Sequence, residues 1–237
     1  MFDFGDATVQ LAASKRAGGL FGELDVTNGD VTVQGGTYKS KLASGTDTPD
    51  GTGSGRGSYG GLVGNVFSSV SDPMRALNVV RNGNDAVVVE IERDNSNGKL
   101  CYVGGVVGYI GDNSVKVGNS AVVLDGVQVT CNGAAKPYTD KGKYGGAVGV
   151  VDSSNILDVR DFKLSGGKIG EDTGGSAGIA GSAWQGVIKF SGITDLSQAQ
   201  FSDSNYSAQL VYENQNALIF AMGTGNNDGW RYLRSNG

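Results

Sequence analysis

The side chains in this chain that could do chemistry are carboxylates, and no histidine stands beside them. Histidine is absent from all 237 residues. That removes imidazole general catalysis, the Ser-His-Asp triad and imidazole metal ligation. Asp125, Asp158 and Asp161 lie on or beside strand-like runs, and Glu90 and Glu92 share an outward face of another. Paired carboxylates can cleave a glycosidic bond, one supplying a proton and the other acting as base or nucleophile. The same residues also read as a solvated acidic edge that discourages strand-to-strand aggregation, and this reading is preferred. Asp94–Gly98 (DNSNG) opens like a calcium loop, but position 105, where a bidentate Glu would stand, is glycine. A hairpin turn is the preferred reading there. Gly55–Gly60 (GRGSYG) matches a dinucleotide fingerprint, yet a polar loop precedes it and a strand follows, so the βαβ context is missing. Cys101 and Cys131 are too few for a zinc site or a disulfide scaffold. They could form one disulfide in an oxidising compartment, or stay as two buried thiols. No catalytic, cofactor or metal residue is assigned, and no cofactor is expected.

The elements that must carry these groups are announced by a glycine block that returns along the chain. It reads GGLFG at Gly18, Gly19 and Gly22, then GGLVG at Gly60, Gly61 and Gly64. It continues as GGVVG at Gly104, Gly105 and Gly108 and as GGAVG at Gly145, Gly146 and Gly149. A degraded copy, AGIAG, carries Gly178 and Gly181, and a sixth echo stands at Ala208–Tyr212 (AQLVY). The intervals are roughly 30 to 45 residues, the range of stacked-repeat architectures. There are 41 glycines, far above the usual 7% or so, with no Gly-X-Y period.

Between the blocks lie apolar runs of strand length, separated by turn signals such as Asn28-Gly29-Asp30 and Ser165-Gly166-Gly167. Around Leu124, the residues Val123, Gly126 or Val127, and Val129 are expected on one face, with Asp125 and Gln128 on the other. A strand-turn-strand-turn-strand unit stacked five or six times describes an all-β chain, a right-handed parallel β-helix (solenoid) with a hairpin insertion. The whole of 1–237 reads as one such domain. In it the paired glycines stack at one corner, where they can take positive φ and let backbones approach closely. Leu20, Leu62, Val63, Val106, Val107, Val148 and Ile179 are the expected core. Lys39–Ser58 is polar and reads as a surface loop. Leu77–Val103 reads as added strands, with Arg81–Asp85 as a hairpin turn. Tyr59, Tyr102 and Tyr144, each at or near the start of a block, are expected to stack as a ladder. Residues 208–237, with Trp230 and Tyr232 on one strand face, are expected to form a last coil or cap.

The block G-G-[LVA]-[FV]-G followed by turns and β-branched residues resembles the GLUG-type repeats of bacterial surface and adhesin-type β-helical proteins. The likeness covers most of residues 17–212, and this chain departs from it in its long spacing. It implies an extracellular or cell-surface segment of a longer secreted chain, flanked by further repeats, that contacts host or cell-wall glycan or protein.

Net charge is −5 and the 19 basic residues are scattered, which argues against nucleic acid. No apolar run reaches membrane-span length, so no membrane insertion is expected. The expectation is a non-enzymatic structural or adhesive rod that presents loops for binding, with Lys39–Ser58 and Arg81–Asn97 as the contact candidates. A polysaccharide-binding or polysaccharide-degrading β-helix, and a self-assembling filament subunit, are the alternatives. Ice binding would need a threonine ladder, and Thr27, Thr32, Thr37, Thr130 and Thr194 do not recur at the repeat offset.

Overall fold

The computed structural model describes residues 8–11, 16–42, 57–93, 99–100, 102–111, 118–132, 136–137, 143–152, 154–169, 175–177, 179–183 and 186–201. These residues are all-β, without a helix, and the sheet pairing is parallel. Three sheets carry the architecture. Sheet 1 holds β2 (Arg16–Gly18), β6 (Ser58–Gly60), β11 (Tyr102–Gly104), β15 (Lys143–Gly145) and β18 (Gly175–Ala177). Sheet 2 holds β3 (Phe21–Asp25), β7 (Val63–Phe67), β12 (Val107–Ile110), β16 (Val148–Val151) and β19 (Ala180–Ala183). Sheet 3 is nine-stranded: β1 (Thr8–Leu11), β4 (Val31–Gln34), β5 (Gly36–Leu42), β8 (Arg75–Val80), β9 (Val87–Arg93), β13 (Ser120–Asn132), β17 (Ile156–Ile169), β20 (Val187–Phe190) and β21 (Thr194–Phe201). A short pair joins β10 (Lys99–Leu100) to β14 (Lys136–Pro137). From Arg16 onward the chain visits sheets 1, 2 and 3 in that order, once per glycine block.

Register follows the blocks residue by residue. Gly18, Gly60, Gly104, Gly145 and Ala177 form one column of sheet 1. Phe21, Val63, Val107, Val148 and Ala180 form one column of sheet 2. Between them, the third block residues hydrogen-bond in series, from Leu20 to Leu62, Val106, Ala147 and Ile179.

The paired glycines are needed for closeness, and the positive φ expected of them does not occur. In the third repeat a Cβ on Gly104 would collide with the Val107 carbonyl. One on Gly105 would collide with the Gly146 carbonyl and stand 2.7 Å from Val129 Cγ1 of sheet 3. One on Gly108 would stand 2.6 Å from the Tyr59 nitrogen, a strand of the preceding repeat. Such separations are too short for real Cβ contacts. The first and fifth glycines therefore bring sheets 1 and 2 backbone to backbone. The second makes room for valine from sheet 3.

The core runs along all three sheets. Leu62, Val63, Val106, Val107 and Val148 are fully buried and Ile179 nearly so, while Leu20 is half-buried against the cluster. In sheet 3 the inward side chains of β13 are Val122, Leu124, Val127, Val129 and Cys131. Val123 therefore belongs to the opposite face from the one expected. The cause is an extra residue. Register shifts flank Asp125, and Gly126 sits at φ 71°, a bulge that resets the two-residue alternation. Alternating side chains have a strict period of two, so one inserted residue reverses every face after it.

The expected hairpin between Leu77 and Val103 is corrected. β8 pairs in parallel with Ser120–Asp125 of β13, and β9 pairs in parallel with Val127–Asn132 of the same strand. The two strands run one behind the other in the same direction. Arg81–Ala86 is an excursion between them, closed by an Asn82–Asp85 bridge with reciprocal backbone bonds of 2.8 and 2.9 Å. Both flanks carry inward residues, Leu77 and Val79 before and Val87, Val89 and Ile91 after, and burying both sets requires both to lie along β13. The Lys39–Ser58 loop is shorter than expected: Lys39–Leu42 belongs to β5 and Ser58 opens β6.

The tyrosine ladder is also corrected. Tyr59 pairs with Val103, whereas Tyr102 pairs with Ser58, so they occupy adjacent columns on opposite faces. Tyr59 enters the main core and its hydroxyl lies 3.0 Å from Ser40 Oγ. Tyr102 stacks on Tyr109 of sheet 2, with centroids 5.4 Å apart and planes 24° apart. The expected cap at 208–237, the Ala208–Tyr212 echo, Gly178, Cys101 and the Asp94–Gly98 turn lie outside the described residues.

Candidate functional site

Sheet 3 breaks its regularity along one line, and two of the carboxylates, Asp125 and Asp161, meet there. In the first repeat the break is Gly35, whose N–H donates to the Val80 carbonyl at 3.0 Å. In the second it is the Arg81–Ala86 turn, in the third Gly126, in the fourth the Arg160–Asp161 pair, and in the fifth Ser191–Ile193 between β20 and β21. These breaks stack from rung to rung because the strands before and after them are in register.

Arg81 spans this line. Its Nε and Nη2 donate to Asp125 Oδ1 at 3.0 and 2.6 Å, and Nη2 also donates to Asp161 Oδ2. The Arg81 backbone N–H donates to the Asp125 carbonyl at 2.8 Å. Asp161 in turn accepts the Ile193 N–H on Oδ1 at 2.8 Å. One guanidinium thus links the second, third and fourth repeats, and Asp161 carries the link to the fifth. The Asp125 and Asp161 hydrogen bonds hold the guanidinium pKa above its ordinary range, with the charges of both aspartates adding to the effect. Gly126 must be glycine here, since besides its φ a Cβ would stand 2.7 Å from Arg81 Nε.

Beside the staple lies an open cleft of about 300 Å³. Arg81, Asn84, Gln128, Asp161, Lys163 and Asp195 are its polar lining. Ala86, Val127, Phe162 and Ile193 are its apolar lining, and Ile193 is 69% exposed. Lys163 Nζ lies 4.0 Å from Asp195 Oδ2.

The sequence-derived candidates distribute as follows. Asp125 and Asp161 are brought together, as partners in register, but a shared arginine occupies them. A hydrolytic pair must present both carboxyl groups to the glycosidic bond, whereas these two are turned onto one guanidinium. Asp158 stands apart and pairs with Arg160 at 3.3 Å. Glu90 and Glu92 face outward opposite Lys39 and Lys41, at 3.7 and 2.6 Å. Opposite charges across neighbouring strands of this kind are surface pairs. Gly60 leads into β7, so a strand follows the dinucleotide-like block. Cys131 is buried at 3% exposure in β13. No threonine ladder forms on Thr32 or Thr37: Thr32 aligns with Asn78, Val123, Asp158 and Lys189, and Thr37 with Val88, Gln128, Lys163 and Asp195. No group of three or more metal-ligating side chains occurs among the described residues.

Sequence reasoning missed Arg81 as the hub and Gln128, Lys163, Ile193 and Asp195 as neighbours. The one signal available was the turn chemistry of Asn82-Gly83, which marks an excursion but not what it touches. No family model matches the chain, and neither a curated protein nor a solved structure matches it.

Proposed function

We propose that the chain winds as a right-handed parallel β-helix and works as a non-enzymatic rod within a bacterial surface or secreted protein. It presents the kinked face of sheet 3 for binding. The observation that carries the reading is the register: each glycine block returns to the same column of sheets 1 and 2 in every repeat. A chain that visits three parallel sheets in fixed order, each visit in register with the last, is most simply closed as a coil, and parallel crossovers are right-handed in about 98% of cases. Each coil packs mainly on its two neighbours, so load along the axis is shared by many ladder hydrogen bonds. The guanidinium bridging Asp125 and Asp161 favours a structural and presenting role over hydrolysis.

An antibody against the chain, applied to intact cells that produce it, tests the location. Surface label that disappears after protease shaving is the expected result, and label seen only after permeabilisation overturns the surface assignment. Incubation with a panel of plant, fungal and bacterial polysaccharides tests the chemistry. No release of reducing or unsaturated ends is expected, and time-dependent release overturns the non-enzymatic reading.

A further inference from the structure

We infer that the cleft beside Arg81 binds a neutral saccharide, an assignment that rests on the presenting role proposed above. Its volume of about 300 Å³ lies at the small-ligand end of binding pockets, about 300–1,000 Å³. Charge argues against an anionic ligand. The cations lining the cleft are already engaged, Arg81 with Asp125 and Asp161, Lys163 beside Asp195. At Arg81 a free anion would have to displace a carboxylate, and Asp161 is itself held by the Ile193 N–H.

The unengaged groups are of another kind. Asn84 and Gln128 are exposed, and neither hydrogen-bonds to another side chain among the described residues. A carboxamide offers donors and an acceptor side by side, as a sugar hydroxyl does. Arg81 Nη1 adds a donor that neither aspartate uses. Ile193, in the same lining, presents an exposed aliphatic surface, suited to the C–H face of a pyranose ring. Ile193 and Met74 are the large apolar side chains left exposed among the described residues, and Ile193 is the one at the cleft. Part of the lining is held by the fold. Val127 and Phe162 are anchored in the core, and the Ile193 N–H is tied to Asp161. Such preorganisation lowers the ordering cost of binding.

Titration of the full ¹⁵N-labelled chain with xylopentaose, cellopentaose and mannopentaose, and separately with trigalacturonate, tests the assignment by amide chemical shifts. Saturable shifts at Gly126–Gln128, Phe162–Lys163 and Ile193–Asp195 with a neutral oligosaccharide are expected. Asn84→Ala and Gln128→Ala should each weaken that binding roughly threefold to tenfold, the loss of about one neutral hydrogen bond. Both side chains are exposed, so the melting temperature should not change, and Lys41→Gln should leave the binding untouched. Absence of cleft shifts with all three neutral sugars overturns the assignment, as does tighter binding of trigalacturonate. Surface label retained while the cleft shifts fail would overturn the cleft alone. Release of reducing ends would overturn the non-enzymatic reading instead.

Discussion

The glycine corner and the kink line of sheet 3 run parallel to each other through the same repeats, and they solve opposite problems. At the corner, sheets 1 and 2 meet with almost no side chain between them, and each repeat repeats the solution: Gly60, Gly104 and Gly145 in column, each closed over by its own and its neighbour's carbonyls. At the kink line every repeat uses a different device: a glycine pair, a turn, a one-residue bulge, an Arg-Asp step, a Gly192 turn. A contact made only of backbone has one workable geometry, so it recurs in sequence. A fault made to reset alternation has many, so it does not, and it leaves room for side chains that differ from rung to rung.

The largest expected effect breaks the corner. Gly105→Ala forces a methyl into the Gly146 carbonyl and Val129 and should cost about 3 kcal/mol, the upper range for overpacking, in urea unfolding. Gly83→Ala at the kink turn meets nothing within 4 Å and has only its φ of 60° to strain it. It should cost about 1 kcal/mol. Equal losses at the two positions would erase the distinction between them.

Next comes the staple. Asp161→Ala removes the acceptor of the Ile193 N–H as well as a partner of Arg81 and should cost about 1–2 kcal/mol. Asp161→Asn keeps an acceptor for that N–H and should recover part of the loss. If both variants unfold alike, the hydrogen bond to the fifth repeat carries none of the effect. Arg81→Met should destabilise, and less so in high salt. The folded guanidinium pKa is raised, so its stabilisation is fully present below the unfolded pKa and lost only as pH rises through the folded one. The Arg81→Met loss should therefore not fade through Arg81 titration between about pH 6 and pH 10. Urea midpoints measured across that window would expose any other titrating partner.

A smaller effect of opposite sign is expected between the corner sheets. Asn65 is 1% exposed, and both polar atoms of its amide lack a partner among the described residues. Its column continues through Tyr109 to Val150. Asn65→Val should raise stability by about 1 kcal/mol, seen as a higher melting temperature. A loss there would mean that the amide is satisfied. Smallest of all, Lys41→Gln removes an exposed pair with Glu92 and should change stability by about 0.5 kcal/mol or less.

The sequence by itself determined the spacing of the repeats, the all-β class, the parallel stacking order and most of the core. Gly-Gly followed by two apolar residues is a local pattern, and it recurs because one backbone contact recurs. Tertiary structure alone decided where alternation resets. Nothing near Gly126 announces that Leu124 and Val127 face the same way, because that depends on the strands packed on either side. Only the packed sheet decided that Arg81 reaches two aspartates in later repeats, because the three come together through register across the sheet and not through distance along the chain. The tyrosines teach the same lesson. Tyr59 and Tyr102 look equivalent beside their glycines, yet a one-residue offset sends one into the core and the other against Tyr109, since neighbouring residues on a strand point to opposite faces.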